Sequence, residues 1–220
     1  MEILEGIKTR RSIRGFKPEP ITKDVMDKIL EAVSHTPSYT NTQPWEVVVV
    51  SGKKKDELGR KLVDLAKAKA PTSRDLPTPK DWPSALQERA RQHGARRFST
   101  LGVARDDAEG REKLRLMNYD FYGAPCAVFL FMDGSLGDWS TFDMGLFAQD
   151  LILAAHSFGV GSCLQASVTD YAREIKKFFS LAESKKLVIC IALGYPDEKA
   201  KLNTYRSLRQ KPNEFTKWYE

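Results

Sequence analysis

Apolar positions recur along this chain in two rhythms. Between residues 22 and 35 they fall at Val25, Met26, Ile29, Leu30 and Val33, the spacing of one helical face. Thr22 is placed as an N-cap, Asp24 puts negative charge in the first turn, and Ile21 with Met26 forms a hydrophobic staple. Pro37 forbids continuation. Leu58, Leu62 and Leu65 repeat the helical rhythm over residues 54–70. Residues 141–158 (TFDMGLFAQDLILAAHSF) break it by excess. Met144, Phe147, Ala148, Leu151, Ile152 and Ala155 line one face, while Phe142, Leu146 and Leu153 occupy the others. A helix apolar on nearly all sides is expected to be buried on nearly all sides, at the centre of the domain or against a second subunit.

The second rhythm is continuous. Glu46–Ser51 holds a continuous β-branched run, Val47–Val50, and Cys126–Met132 and Leu187–Leu193 are continuous apolar runs; all three end at turn residues and predict strands buried on both faces. Gly159 and Gly161 are expected to end the long helix, with Ser162–Ser167 as a turn-like loop and a last helix from Thr169-Asp170 to about Phe179. This order predicts an α+β fold with a small mixed central sheet surrounded by helices, in one domain spanning residues 1–220. Residues 71–115 differ in character. Four prolines fall within 71–83, and the positions after them are dense in Arg, Asp and Glu. That excursion, with helices near 84–97 and 111–122, is expected to serve as a lid or a partner-covering arm.

Composition narrows the chemistry. In 220 residues, 41% hydrophobic and 29% charged describes an ordinary globular chain. The net charge of +6 is spread among 29 acidic residues, and no nucleic-acid module is recognisable, so a small phosphorylated ligand is expected and a polynucleotide is not. Cys126, Cys163 and Cys190 are odd in number and far apart, and no C-x-x-C occurs. That argues against disulfides and structural zinc and for a reducing compartment; with no signal peptide or membrane span evident, a cytoplasmic location is expected. No G-x-S-x-G, H-E-x-x-H, phosphate-loop or G-x-G-x-x-G motif is present, and His156 has no carboxylate at a telling spacing.

What the chain does hold is anion-binding chemistry at both ends. Arg10-Arg11-Ser12-Ile13-Arg14 packs three guanidinium groups and a hydroxyl into five positions, and Tyr205-Arg206-Ser207-Leu208-Arg209 supplies a second set. Guanidinium forks bind phosphate in bidentate fashion. Few catalytic side chains beside many anion ligands suit an enzyme whose cofactor carries the reaction.

Read together, the order of motifs resembles the FMN-dependent nitroreductase family. Those motifs are Arg10-Arg11-Ser12-Ile13-Arg14, then Pro37-Ser38-x-x-Asn41-x-Gln43-Pro44-Trp45 before a strand, then Gly123-Ala124-Pro125 before the next. The apolar helix, the loop through Gly161-Ser162-Cys163-Leu164-Gln165, and Arg206-x-x-Arg209 follow. The resemblance implies an intertwined homodimer with one FMN at each of two shared sites. It assigns Arg10, Arg11, Ser12 and Arg14, with Arg206 and Arg209, to the phosphate and ribityl chain. Pro37, Ser38, Tyr39, Asn41 and Gln43 are implied to lie against the isoalloxazine from the partner subunit. Leu164, Gln165, Ala166 and Ser167 are implied to border its reactive edge, and Asn118 to touch the ring. Arg14 is the candidate for stabilising negative charge near N1 and O2 of the reduced ring.

The implied activity is ping-pong transfer from NADH or NADPH, through flavin N5, to a nitroaromatic or similar flat aromatic or quinone acceptor. No catalytic side chain and no metal are required. Trp82, Phe98, Tyr119 and Phe121 are candidate walls of the acceptor pocket, and Arg96 or Arg97 a candidate partner for a substrate carboxylate. Trp45 is expected in the core. Reductive dehalogenation, alkene or quinone reduction and flavin breakdown are alternatives on the same fold; a non-catalytic, basic nucleotide-binding module is the alternative from another class.

Overall fold

The computed structural model describes residues 2–220; residue 1 of the expected domain lies outside the described residues. Four strands, β1 (Glu46–Ser51), β2 (Cys126–Asp133), β3 (Gly161–Gln165) and β4 (Lys185–Gly194), form one sheet in the order β1-β2-β4-β3. All three ladders are antiparallel. Among the described residues, parallel pairing enters only through an isolated bridge between Ser12 and Ser162. Seven α-helices surround the sheet: α1 (Ile3–Thr9), α2 (Lys23–Val33), α3 (Gly52–Lys67), α4 (Ser84–Leu101), α5 (Ala108–Tyr119), α6 (Asp138–Ser157) and α7 (Ala172–Phe178).

The side-chain alternation of β2 divides the core in two. Ala127, Phe129 and Phe131 face a cluster built with Leu58, Leu62, Tyr119, Tyr171 and Ile175. Cys126, Val128, Leu130 and Met132 face another, with Met26, Ile29 and Val33 of α2 and Met144, Phe147, Leu151 and Ile152 of α6. β2 is buried along nearly its whole length, as its continuous apolar run predicts. β1 is not. It lies at the sheet edge with Glu46, Val49 and Ser51 exposed, because no strand among the described residues pairs with its outer side.

Helix α2 follows its pattern closely: the Thr22 hydroxyl accepts from the Val25 N–H at 3.3 Å, and Met26, Ile29 and Val33 are buried. Trp45 packs into the second cluster and stacks on Phe147 with ring centroids 4.7 Å apart. Two elements correct the sequence reading. The Ser162–Ser167 segment is not a turn-like loop; Gly161–Gln165 is a strand on the far edge of the sheet. Helix α1 was hidden because it is only seven residues long and buries only Gly6.

Helix α6 settles its own ambiguity. One stripe is buried, yet Trp139 is 66% exposed and Phe142 59% exposed. Its apolar surplus therefore faces outward, at the surface of this chain.

The excursion is tied at its root. The Ser73 N–H donates to the Asp170 carbonyl at 2.7 Å, Arg74 pairs with the Asp170 carboxylate, and Asp75 binds Lys176 at 2.9 Å and the Leu187 N–H at 2.8 Å. Helix α5 packs on α3, with Arg115 donating to the Ala66 carbonyl at 3.0 Å.

Candidate functional site

The N-terminal arginines are laid out by an extended segment docked on the sheet edge. The Ile13 N–H donates to the Ser162 carbonyl at 2.8 Å, and the Lys17 N–H to the Tyr195 carbonyl at 2.9 Å. Alternate side chains of an extended segment point to opposite sides. Ile13 accordingly goes inward and is buried, and Arg11 turns to Glu198, 3.4 Å away. Arg10, Ser12 and Arg14 all neighbour the Cys163 thiol, and Arg10 also lines a small cavity of about 130 Å³ with Arg11, Ile13 and His156. The Arg14 N–H donates to Asn203 Oδ1 at 2.7 Å, and Asn203 Nδ2 donates to the Gly15 carbonyl at 2.7 Å, which brings the C-terminal segment alongside.

Four guanidinium groups, those of Arg10, Arg14, Arg97 and Arg209, act on one neighbourhood: Arg14, Arg97 and Arg209 all bear on His93, and Arg209 bears on Arg10. Burial, and then repulsion from Arg209, lowers the Arg10 pKa from its ordinary value, so the two ends of the chain share one electrostatic environment. The Cys163 thiol is buried beside them. Burial raises its pKa, while nearby Arg14 and Arg97 oppose that rise. The Arg14 guanidinium lies 5.9 Å from the centre of the Tyr122 ring, and Arg97 donates to the Tyr122 hydroxyl at 3.4 Å. None of Arg10, Arg14, Arg97 and Arg209 is paired with a carboxylate among the described residues. The Arg14 Nε is buried and has no hydrogen-bond partner. A guanidinium only donates, so this cleft calls for a ligand rich in acceptors and negative charge.

Beside the arginines lies the end of β3. Leu164 is 44% exposed, Ala166 is exposed and Ser167 half-buried, while Gln165 is buried and donates to the Asn118 carbonyl at 2.8 Å. Asn118 Oδ1 accepts from the Tyr122 hydroxyl at 2.8 Å. Asn118 and Gln165 are thus fixed by each other. Arg206 is directed elsewhere: it donates to the Asn203 carbonyl at 2.7 Å and lines an outer groove of about 530 Å³ with Arg96, Ser99 and Thr204. Arg209 donates to Ser207 Oγ at 2.7 Å.

The loop at residues 37–43 is not brought to these arginines. The Tyr39 N–H donates to both oxygens of the buried Asp143 carboxylate at 3.1 and 3.2 Å, and its ring stacks on Trp139 at 5.7 Å. Ser38 Oγ accepts from the Gln43 N–H at 2.9 Å, and Gln43 reaches Asn41 Oδ1 at 3.2 Å. Thr40, Asn41 and Gln43 all have φ near +50°, at 48°, 56° and 48°. Pro37, Tyr39, Asn41 and Gln43 are exposed. The arginine segment meets α6 at its other end, where Thr9 Oγ1 and His156 Nε2 share a hydrogen bond of 2.9 Å. Thirteen helical residues separate Asp143 from His156, about 20 Å of rise.

Sequence reasoning missed Tyr122, His93, Tyr205 and Asn203. Tyr205 and His93 Nδ1 share a hydrogen bond of 3.0 Å between the C-terminal segment and α4. No spacing rule joins residues 112 positions apart. Of the expected pocket walls, Phe121 is core, Tyr119 is buried and donates to Asp170 at 2.7 Å, and Phe98 lies under the Arg111 guanidinium at 4.3 Å. Trp82 is exposed. A cleft of about 750 Å³ lies away from the arginines; its Lys55 is neutralised by Asp56 at 2.7 Å.

An antiparallel sheet with a long apolar helix behind it and unpaired guanidinium groups at its edge defines an α+β domain equipped to hold an anionic ligand. Residues 7–195 match the model of the Nitroreductase family, and the chain belongs to that family. It is 36% identical over 213 residues to nitroreductase NfnB of Mycolicibacterium smegmatis, covering 96% of this chain and 90% of the relative. A 4-nitrobenzoate reductase of Pseudomonas putida is 32% identical over 210 residues, covering 96% and 92%. The crystal structure of the FMN-dependent nitroreductase NfnB from Mycobacterium smegmatis in complex with NADPH superposes with a TM-score of 0.94 at 34% identity, covering 99% of this chain and 97% of that one. No helix among the described residues is long and apolar enough to cross a membrane.

Proposed function

We propose that this chain is an FMN-dependent nitroreductase acting as a homodimer, with NADPH or NADH as electron donor and a nitroaromatic acceptor. The observation that carries the reading is the donor-only cleft: four guanidiniums without carboxylates, one with a buried, unpartnered Nε. Similarity to FMN- and NADPH-dependent relatives supports it. Bound there, flavin mononucleotide supplies the two-electron chemistry between donor and acceptor.

The chain's own residues bind and orient. Arg10 and Arg209 take the phosphate, with the Ser12 hydroxyl beside them, and their mutual repulsion is relieved by the dianion. Arg14 directs its orphaned donor at the ring edge, where negative charge gathers on reduction, and favours the reduced form. Backbone groups at Leu164–Ser167, steadied by the Gln165–Asn118 bond, border the reactive edge. Arg11, paired with Glu198, and Arg206, donating to backbone, support the two segments from behind.

The second copy follows from distance. The 37–43 loop stands about 20 Å along α6 from the arginines of its own chain. Exposed Trp139 and Phe142 beside it offer an apolar face for a partner. Pairing through α6 brings each loop to the other chain's cleft and excludes water from it.

The test is spectroscopic. The purified protein is expected to be yellow, to bleach with NADPH or NADH, and to recover colour on addition of a nitroarene without oxygen. A protein that stays colourless after incubation with FMN would overturn the reading.

A further inference from the structure

Arg97 is the odd member of the cleft. Arg10, Arg14 and Arg209 come from the terminal segments, whereas Arg97 comes from α4, within the excursion. It is also the one held by a phenol. Its Nη2 donates to the Tyr122 hydroxyl at 3.4 Å, that hydroxyl donates to Asn118 Oδ1 at 2.8 Å, and Gln165 donates to the Asn118 carbonyl at 2.8 Å. One hydrogen-bonded chain therefore runs from the excursion to the end of β3.

Tyr122 is held there against its backbone preference. Phe121, Tyr122 and Gly123 have consecutive φ values of 52°, 55° and 70°. A non-glycine residue is sterically disfavoured in the left-handed region, where its Cβ crowds the following carbonyl oxygen. The core keeps the turn in place: Phe121 is fully buried, with its ring edge-on to Phe129 at 5.9 Å. The turn's effect is to aim the Tyr122 hydroxyl back at Asn118 and Arg97.

Charge counting then separates Arg97 from its neighbours. A phosphate monoester carries about −1.5 to −2 charge at pH 7, which Arg10 and Arg209 balance. Arg14 serves the ring edge. Arg97 remains, with donors to spare and no carboxylate partner among the described residues. Arg96, one residue earlier, faces the outer groove with Thr204 and Arg206.

We infer that Arg97, positioned by Tyr122, is the seat for one negative charge on the acceptor, so that the enzyme selects nitroaromatics bearing a carboxylate or another anionic oxygen group. The inference rests on the flavin reading above and adds the substrate class to it.

The experiment compares kcat/KM for 4-nitrobenzoate and nitrobenzene in the flavin-loaded enzyme. Arg97→Met is expected to lower the ratio of the two about tenfold, chiefly through KM for the carboxylate, and Arg97→Lys to restore part of it. Tyr122→Phe keeps the ring and is expected to lower the ratio about threefold through KM alone. Arg96→Met leaves the ratio unchanged. Equal losses on both acceptors, a loss confined to KM for NADPH or NADH, or release of flavin by Arg97→Met would each overturn the inference. A wild-type protein that binds no flavin overturns both readings. A yellow, active wild type whose ratio survives Arg97→Met overturns this one alone.

Discussion

The backbone N–H of Arg14 donates to the side-chain oxygen of Asn203 at 2.7 Å, across 189 positions of sequence. Asn203 is 4% exposed, and its amide nitrogen donates in turn to the carbonyls of Gly15 at 2.7 Å and Asp197 at 3.0 Å. One amide therefore clamps the arginine-bearing segment to the C-terminal one. Asn203→Ala is expected to destabilise the protein by about 2 to 4 kcal/mol in urea unfolding, since it strands buried backbone groups. Gly15→Ala attacks the same seam, because an added Cβ would stand 2.3 Å from the Ala200 Cβ. Both variants are expected to weaken flavin binding, measured by fluorescence quenching. Full affinity in either would mean the seam does not shape the site.

The two faces of the N-terminal segment give a contrast within adjacent residues. Arg10→Ala and Arg209→Ala are each expected to raise the FMN dissociation constant about tenfold or more. Arg11→Ala is expected to change it less than about threefold, because Arg11 already answers Glu198. Titration of each apoprotein with FMN checks the order; equal losses at Arg10 and Arg11 would refute the contrast.

Trp139→Glu combined with Phe142→Ser places charge and polarity on the exposed stripe of α6. The expected result is a single copy by light scattering that no longer retains flavin, because the 37–43 loop of the second copy is lost. A dimer that stays intact would move the interface elsewhere.

His93 senses the cleft. Desolvation, then Arg14, Arg97 and Arg209, hold its pKa below the ordinary histidine value. The folded state thus binds fewer protons at this residue than the unfolded chain. Its contribution to stability is present above about pH 6.5 and is lost as pH falls through the lowered value. A bound phosphate offsets the arginines, so the pKa is expected to rise when FMN is added. Histidine NMR titrations with and without FMN measure this; an unchanged or lower value with FMN would contradict the shared field.

Local order was legible in the sequence wherever one residue's neighbours decided its state. The Thr22 cap, the α2 stripe and the buried run of β2 depend on contacts within a few positions or on apolar continuity. The strand Gly161–Gln165 was hidden because Gly and Ser carry weak strand preference, and its pairing with β4 and Ser12 overrides that preference. The exposure of β1 was likewise unreadable, since an apolar run is the same at the centre of a sheet and at its edge.

By itself, then, the chain's linear pattern determined an α+β fold, its main elements, and the presence of arginine clusters at both ends. Only the tertiary structure decided which arginines face the cleft. Glu198 paired with Arg11, a carbonyl of the C-terminal segment occupied Arg206, and a left-handed turn joined Arg97 to Tyr122. The physical reason is that a guanidinium's charge is written in the sequence, but its direction is set by backbone register and by partners more than a hundred positions away.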